Sequence, residues 1–428
     1  MVHTSAISPG LSWYEATAGE RPDWPPLKGD HTTDVIVIGG GFTGLSAAAQ
    51  LAKDGIGCIL IEGHRVGDGA SGRNGGQLGT GQRAWAEELE AEIGLERARA
   101  LFAIAEDAKT HLMDFARIHQ IDIEYMPGQM SVVHKPRYLD DFRAHARLMA
   151  ERFDYRHIHF MDKAETAERL GSTRYHGGIR DMGTGHIHPL KLVIGTARVA
   201  AQSGAAIHEN TPALSIAREG GKVVVTTPDG TIRADRCLLA TNAYGEKLEP
   251  VSAAHIMPIR SFIGATVPLG DDTSVIPGNE SVDDSRFVVR YFRKSRDGRL
   301  LFGGREAYTA EEPKDISTHV RKQIAEIYPA LRDIEITHAW GGSVGITIPR
   351  KPFVRDVMPG VTAIGGFSGH GVLLSNHTGR LYAEAVAGKD DRLRHYRDLK
   401  IPAFPGGRLL RKPLLLAAMT WFSMLDRI

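Results

Sequence analysis

An apolar strand that runs into three glycines and then a helix is the feature that most limits how this chain can fold. Residues 34–38 read DVIVI, glycines occupy 39–41, and residues 42–55 have the pattern of a helix that ends at a glycine. A second apolar run, GCILIE, ends at Glu62. This order of strand, glycine turn, helix and strand predicts a βαβ unit, and hence a parallel sheet covered by helices.

The glycines of the turn have the spacing Gly39-x-Gly41-x-x-Gly44, which is typical of dinucleotide-binding turns. The first glycine permits the tight turn, the second lets the backbone approach a pyrophosphate, and the third lets helix and strand pack closely. Phe42 and Thr43 begin the helix, where unpaired N–H groups and the helix dipole attract phosphate. We therefore expect these five residues to contact a dinucleotide.

Glu62 ends the second strand at close to the roughly 20 residues expected for the acid that binds an adenosine ribose. A carboxylate at that place repels a 2′-phosphate, so NADP is disfavoured. The turn and the acid alone do not distinguish FAD from NAD.

A polar, glycine-rich loop follows the βαβ unit and favours the larger cofactor. Such a loop could cradle a pyrophosphate and run beneath an isoalloxazine ring; the alternative is a flexible surface loop. The expected cofactor contacts are Gly69, Ala70, Ser71, Arg73, Asn74, Gly75, Gly76, Gln77 and Leu78.

Two further strand ends carry small or polar residues. The strand VTAI runs into a glycine loop and a helix whose first residues could face the N1–C2=O edge of a flavin and stabilise its reduced form. The strand RCLL ends beside Thr241. The contacts expected from the helix start are Gly369, His370, Gly371 and Val372. Together with Glu62, these elements predict FAD.

Blocks rich in βα patterns alternate with blocks of short strands, which predicts interleaved domains. The expected fold class is α/β (α+β overall), with a Rossmann-type FAD-binding domain interleaved with a β-rich substrate domain. The predicted division is an N-terminal arm (1–29), an FAD-binding domain (30–95, 160–250 and 350–390), a substrate domain (96–159 and 251–349) and a C-terminal helical tail (391–428).

Composition excludes several other classes of protein. The net charge of +1 provides no overall field for nucleic acid. Cys58 and Cys237 are too few for a disulfide framework, lack metal-ligand spacing and suit a reducing compartment, so we expect a cytoplasmic protein without a metal. No signal peptide or integral membrane segment is expected. The apolar stretch at 413–425 predicts a helix that docks on the body or on a partner.

Several motifs together resemble the D-amino-acid-oxidase-type FAD oxidoreductases. They are DVIVIGGGFTGL, GASGRNGGQ, GHIHPLKL, LLATNAY, GFSGHGV and AFPGGRLLRKP, and they extend over nearly the whole chain. Within that family, the chain is similar to the branch that oxidises γ-glutamylputrescine. Some members attach flavin through Cys or His, but both cysteines here lie in strand patterns and the loop at 65–82 contains no histidine. We therefore predict non-covalent FAD.

The resemblance implies hydride transfer from the carbon bearing an amine to flavin N5, followed by hydrolysis to an aldehyde and ammonia. Dioxygen, giving H2O2, or a quinone would accept the electrons. His186 and His188 are candidate bases, or else histidines that bond backbone at a turn. Tyr291 and Arg293 share one strand face and are candidates for an aromatic wall and a carboxylate clamp, unless they pair with the acids at 283–284.

The preferred substrate is γ-glutamylputrescine or a similar N-acylated diamine. The first alternative is a D-amino acid or sarcosine-like dehydrogenase that passes electrons to a quinone. An alternative of another class is a flavin-binding scaffold or sensor without turnover. The identity of the fold alone does not choose among them.

Overall fold

The computed structural model describes residues 12–246, 248–270, 274–307 and 315–407. Its helices are α1 (Trp13–Thr17), α2 (Phe42–Lys53), α3 (Ala86–Ile93), α4 (Leu95–Ile118), α5 (Leu139–Arg152), α6 (Lys163–Leu170), α7 (Pro189–Gln202), α8 (Pro250–His255), α9 (Ile316–Ile327), α10 (Gly371–Val386) and α11 (Arg394–Arg397). Its strands are β1 (His31–Thr32), β2 (Val35–Ile38), β3 (Cys58–Ile61), β4 (Met126–Val132), β5 (Ile158–Met161), β6 (Gly178–His186), β7 (Ala206–His208), β8 (Ser215–Glu219), β9 (Lys222–Thr227), β10 (Gly230–Ala234), β11 (Arg236–Leu239), β12 (Met257–Pro268), β13 (Ser281–Asp284), β14 (Tyr291–Lys294), β15 (Arg299–Ala307), β16 (Ile336–Ile346), β17 (Phe353–Met358) and β18 (Val361–Gly365).

A six-stranded sheet with the order β17-β18-β11-β2-β3-β7 contains the predicted βαβ unit. Its neighbouring strands are parallel except for the β17–β18 pair. Every residue of β2 and β3 is buried, as expected for strands covered on both faces. Helix α2 contacts both strands and also packs on α7 and α10. The predicted α/β class with a Rossmann-type unit is confirmed.

An eight-stranded sheet with the order β16-β12-β15-β14-β13-β4-β6-β5 forms the second large layer. It takes strands from residues 126–186 and 257–346, so chain segments do cross between the two sheets. The predicted FAD-binding segment 160–250 includes β6, which pairs with β4 and β5 in this sheet. A smaller sheet has the order β1-β10-β9-β8. The domain boundaries themselves stay a prediction.

The part of the N-terminal arm that the structure describes packs on the body of the protein. Trp13, Tyr14 and Leu27 are buried. Residues 13–17 of this arm form α1, whose start is capped by the Ser12 hydroxyl, which accepts a hydrogen bond from the Tyr14 amide. The apolar helix predicted at 413–425 lies outside the described residues. Among the helices of the described segments, none combines the length and apolarity that crossing a membrane requires.

Helices α2 and α10 meet at backbone distance. A Cβ atom at Gly379 of α10 would lie 2.0 Å from the carbonyl oxygen of Thr43, in the first turn of α2. A Cβ atom at Gly44 would lie 2.0 Å from the carbonyl oxygen of Gly39. Since neither backbone can yield without moving a helix, these two glycines set the positions of both helices relative to the glycine turn.

Replacing Gly379 by alanine should therefore destabilise the protein through steric overlap with α2. We expect Gly379→Ala to lower the free energy of unfolding by about 1–3 kcal/mol, measured by urea denaturation followed by circular dichroism. Gly195→Ala in α7 is the matched control, because its new Cβ would meet the movable Ile121 side chain at 2.5 Å. Both variants gain similar intrinsic helix propensity. Equal stabilities for the two variants would contradict the close-packing argument.

Candidate cofactor and active site

The glycine turn after β2 leaves the first turn of α2 open to a ligand. Gly41 is the N-cap residue and has no side chain to cap the helix. The Phe42 amide donates to Ser71 Oγ at 3.0 Å, which brings the following loop over the helix start. A Cβ at Gly41 would lie 2.8 Å from that oxygen, so a side chain there would fill the space. This open, amide-lined helix start suits a pyrophosphate group.

Glu62 lies at the carboxyl end of β3 and holds two backbone groups of the turn. Its Oε2 accepts a hydrogen bond from the Gly40 amide at 2.7 Å, and its Oε1 accepts one from the His64 amide at 3.0 Å. Burial raises the pKa of this carboxyl group, against the effect of the two amides. Each oxygen keeps a further lone pair, so the acid fits its predicted role beside an adenosine ribose.

The loop at residues 69–83, called the cofactor loop below, is held in shape by hydrogen bonds of its own side chains. Residues 70–72 form a short 3-10 turn. The Asn74 side-chain amide donates to the carbonyls of Ala70 and Ser71 at 3.0 and 2.8 Å, and its oxygen accepts from the Gly76 amide. This network makes the loop a built element of the structure. Asn74 acts on the loop itself, and its contact with the cofactor stays a prediction.

Arg73 also serves the loop. Its Nε donates to the Asp68 carbonyl at 3.1 Å, and its own carbonyl accepts from Trp340 Nε1 at 3.1 Å. Trp340 is buried and packs edge-on against Tyr14. The large sheet is therefore fastened to the cofactor loop at Arg73, and the indole serves as a core anchor.

The start of α10 faces the same loop. Gly369, His370 and Val372 line a cavity together with residues 73–89, and Gly371 is the first residue of α10. The His370 ring lies against Gly79, where a Cβ would be 2.3 Å from the ring. Burial lowers the pKa of His370 to about 4, so the imidazole is neutral near pH 7.

The strand end at Thr241 connects with this helix start through its neighbour. The Asn242 side-chain oxygen accepts a hydrogen bond from the Gly366 amide at 2.8 Å. Residues 242–244 form a 3-10 turn directly after Thr241. The three strand ends that the sequence singled out therefore meet at one edge of the six-stranded sheet, as parallel strands bring them to do.

The cavity has a volume of about 1290 Å³ and is lined by strands of the eight-stranded sheet, by the loop at 73–83 and by residues 368–370 and 372 at the start of α10. It extends from the start of α10 and the 73–83 loop to α3 and α5. Its charged and polar walls include Arg83, Gln129, Asp283, Tyr291 and Ser261. Space of this kind beside a dinucleotide turn can hold a flavin ring together with a substrate.

Tyr291 is one of the predicted catalytic residues that the structure places in this cavity. Its ring lies against Gly75, where a Cβ would be 3.0 Å away. Its hydroxyl is 3.1 Å from Ser261 Oγ on β12. The predicted aromatic wall is therefore in position, and its catalytic part stays a prediction.

Arg293 does not line the cavity. Its side chain is buried, and its donors bind the carbonyls of Gly75 at 2.7 Å and Ile187 at 2.9 Å and the Tyr14 hydroxyl at 3.1 Å. With these donors spent on the protein, the geometry gives no support to a carboxylate clamp. Arg293 instead holds the cofactor loop to the N-terminal arm and to the segment before α7.

His186 and His188 also lie outside the cavity lining. Nε2 of His186 is 2.9 Å from the carbonyl oxygen of Asn279, so it donates there. Nδ1 of His188 accepts from the Lys191 amide at the start of α7, which leaves Nε2 to donate to Thr17 Oγ at 3.1 Å. Burial lowers the pKa of both histidines to about 3. These contacts favour structural roles over the predicted role as bases.

Three site residues were missed by the sequence. Asp283 and Arg83 line the cavity, and Asn242 joins two strand ends. Asn242 directly follows the predicted Thr241 in the motif LLATNAY, so the sequence could have indicated it. Asp283 gave no signal of its own, because β13 pairs with β4, which lies about 150 residues earlier in the chain.

Both cysteines are remote from this cavity. Cys58 lies in β3 and Cys237 in β11, and both are buried. Burial raises the pKa of each thiol to about 12, so neither provides a thiolate. Their positions agree with non-covalent cofactor binding.

Glu62→Gln should weaken FAD binding, because an amide provides one acceptor oxygen where two backbone N–H groups now find two. We expect the dissociation constant of FAD to rise by about 10- to 100-fold, measured by flavin fluorescence quenching on adding FAD to apoprotein. Glu151→Gln changes an exposed side chain and serves as the control. An unchanged FAD affinity in Glu62→Gln would exclude the proposed ribose site.

Known proteins agree with this geometry. The chain is 60% identical over 427 residues to a protein of Rhizobium meliloti (strain 1021) named probable oxidoreductase OrdL, with 100% of each chain covered. It is 33% identical over 420 residues to gamma-glutamylputrescine oxidoreductase of Escherichia coli (strain K12), covering 97% of this chain and 98% of that protein.

The fold also matches a solved structure. Glycine oxidase from Geobacillus kaustophilus superposes with a TM-score of 0.70 at 22% identity, covering 84% of this chain and 96% of that one. The model of the DAO family, described as FAD dependent oxidoreductase, matches residues 34–385. The glycine turn, the cavity and these similarities lead to one conclusion: the chain belongs to the DAO family of FAD-dependent oxidoreductases.

Proposed function

We propose that this protein oxidises the amine end of γ-glutamylputrescine, or of a similar N-acylated diamine, to an aldehyde with release of ammonia. Dioxygen is the proposed electron acceptor, and H2O2 the second product. The observation that carries the proposal is the large cavity beside the loop at 73–83, which contains charges of both signs. The name of the Escherichia coli relative, gamma-glutamylputrescine oxidoreductase, supports the same substrate.

The size and charge of the cavity favour a long substrate with polar ends. The arginines that line it are Arg73, Arg83, Arg137, Arg286 and Arg350. Acids such as Asp283 and Glu87 lie in the same walls. A substrate with an amine at one end and a γ-glutamyl group at the other would present an ammonium group to an acid and a carboxylate to an arginine.

Bound FAD supplies a two-electron acceptor for a hydride from the carbon next to nitrogen. The chain's own part is to hold the amine carbon beside the loop at Gly75, to exclude water and to favour the uncharged amine. Tyr291 limits the cavity on that side. The imine that results loses its nitrogen by hydrolysis, which gives the aldehyde and ammonia.

The proposal is tested by anaerobic reduction of the flavin in the FAD-loaded protein. We expect γ-glutamylputrescine to reduce the flavin faster than putrescine, sarcosine or D-alanine at equal concentration, because it alone fills both ends of the cavity. Reduction is measured as loss of the flavin absorption at ~450 nm. Reduction by sarcosine or D-alanine alone would replace the proposed substrate with an amino acid. No reduction by any of the four compounds would favour a flavin-binding protein without turnover.

Peroxide release tests the proposed acceptor separately. After reduction by the amine, admission of air should reoxidise the flavin and release about one H2O2 per flavin, as the two-electron balance requires. Slow reoxidation by air but fast reoxidation by a soluble quinone would identify a dehydrogenase instead.

A cytoplasmic location is part of the same proposal and rests only on the two buried thiols.

A further inference from the structure

Asp283 is an acid in the cavity wall that none of the sequence motifs singled out. We propose that Asp283 pairs with the ammonium group of the substrate and accepts one of its protons before oxidation. This inference rests on the proposed function in one respect, namely that the substrate is an amine. It goes further by naming the group that recognises and neutralises that amine.

The position of Asp283 follows from the pairing of β13. Asp283 is opposite Tyr291 of β14 and opposite Ser131 of β4. Its neighbour Val282 is fully buried, and the Val282 carbonyl accepts a hydrogen bond from the Gln77 side chain at 2.9 Å. Because side chains alternate along a strand, Val282 faces the core and Asp283 faces the cavity. Asp283 therefore directly follows, in the chain, the residue whose carbonyl binds the cofactor loop.

The charge of Asp283 is not matched by an ion pair among the described residues. Its Oδ2 accepts from the Gln129 side-chain amide at 2.6 Å, and the Ser131 hydroxyl provides a second bond. Both donors are neutral. Arg83 lines the same cavity and acts on Asp283 only through its field. An acid with neutral partners in a cavity is suited to a cationic ligand.

The adjoining acid has a different use. Asp284 accepts hydrogen bonds from the amides of Arg286 and Arg290 and from the Tyr175 hydroxyl, and it forms an ion pair with the Arg286 guanidinium. Its charge is therefore compensated within the protein. Only the first of the two neighbouring carboxylates is left for a ligand.

A second acid of the cavity, Asp181, is also engaged. Its Oδ2 accepts from Thr80 Oγ at 2.6 Å, and its Oδ1 accepts from the Tyr155 hydroxyl and the Gly183 amide, both at 2.8 Å. Lys109 donates to Tyr155 and lies in the same network. Three protein donors therefore occupy the oxygens of Asp181, which leaves it less suited to hold a substrate ammonium group. Lys109 itself pairs with Glu106 at 2.7 Å.

The protonation properties of Asp283 fit an acceptor. Burial raises its pKa to about 6, while Ser131, Arg83 and Gln129 oppose the shift and Asp284 adds to it. The Tyr291 hydroxyl on the facing strand is bound to Ser261. Near pH 7 the acid is a carboxylate, and it holds a proton more readily than an ordinary aspartate. The predicted bases His186 and His188 lie outside the cavity lining.

The proposed step is a proton transfer that conserves charge. R–CH2–NH3+ and the Asp283 carboxylate become R–CH2–NH2 and the Asp283 carboxylic acid. Two opposite charges are thereby replaced by two neutral groups, which the burial of Asp283 favours relative to water. The nitrogen lone pair is then free to assist loss of a hydride from the adjoining carbon to the resident cofactor.

Binding of a cation that cannot be oxidised tests recognition apart from turnover. tert-Butylamine has an ammonium group but no C–H bond next to nitrogen, and tert-butyl alcohol is its neutral analogue of the same shape. We expect the FAD-loaded protein to bind the amine about 10- to 100-fold more tightly than the alcohol, measured by flavin difference spectra at pH 7.5. Asp283→Asn should abolish this preference, and Asp283→Glu should restore part of it.

Asp140→Asn is the matched control, since the Asp140 side chain is 94% exposed on α5. It should keep the preference for the amine. An equal preference in wild type, Asp283→Asn and Asp140→Asn would overturn the inference, as would the absence of any preference in the wild-type protein. FAD content and urea unfolding of Asp283→Asn should stay near wild type, which separates a ligand role from a structural one.

The pH dependence of flavin reduction tests the proton transfer. With γ-glutamylputrescine at low concentration, the wild-type rate should fall below about pH 6, because a protonated Asp283 can neither attract the ammonium group nor accept its proton. In Asp283→Asn this acid limb should vanish, and the rate at pH 7.5 should fall by about 10- to 100-fold. An acid limb that persists unchanged in the variant would overturn the proposed step.

Failure of the inference differs from failure of the proposed function. If γ-glutamylputrescine reduces the wild-type flavin but Asp283→Asn keeps both the rate and the amine preference, the function stands and the role of Asp283 falls. If no amine reduces the flavin but the preference for tert-butylamine depends on Asp283, the cation site stands and the proposed reaction falls.

Discussion

The guanidinium group of Arg293 connects the parts from which the site is built. It extends from β14 of the large sheet and binds the Gly75 and Ile187 carbonyls and the Tyr14 hydroxyl. The cofactor loop, the segment before α7 and the N-terminal arm are thus held by one buried side chain. These bonds hold the cofactor loop in shape. Arg293 itself does not line the cavity, so the cavity beyond the loop stays open to ligands.

A second constraint is the backbone contact between α2 and α10. The absence of a side chain at Gly379 lets the later helix reach the first turn of the earlier one. That contact places the starts of both helices at the same edge of the six-stranded sheet. One helix start suits a pyrophosphate, and the other, at Gly371, borders the cavity. The positions of the two helix starts, one at the glycine turn and one at the cavity, therefore depend on the same packing contact.

The buried titratable groups around the cavity differ in how their charge is compensated. His186, His188 and His370 are held neutral by burial. Asp284 forms an ion pair with Arg286, and three protein donors occupy the oxygens of Asp181. Asp283 has amide and hydroxyl donors only. For the proposed amine substrate, Asp283 therefore provides a carboxylate that can receive a positive charge in the cavity.

The sequence by itself determined the FAD-binding βαβ unit, the acid at Glu62 and the strand ends at Thr241 and Gly369. These depend on local demands, namely glycine where backbones touch and polar residues where parallel strands end. The structural bonds of Arg293 and His188 could not be predicted from the sequence, because their partners Tyr14 and Thr17 lie in the N-terminal arm, far away in the chain. Only the tertiary structure decided that Asp283 faces the cavity with neutral partners. The reason is physical: the charge balance of a buried group depends on every element packed around it.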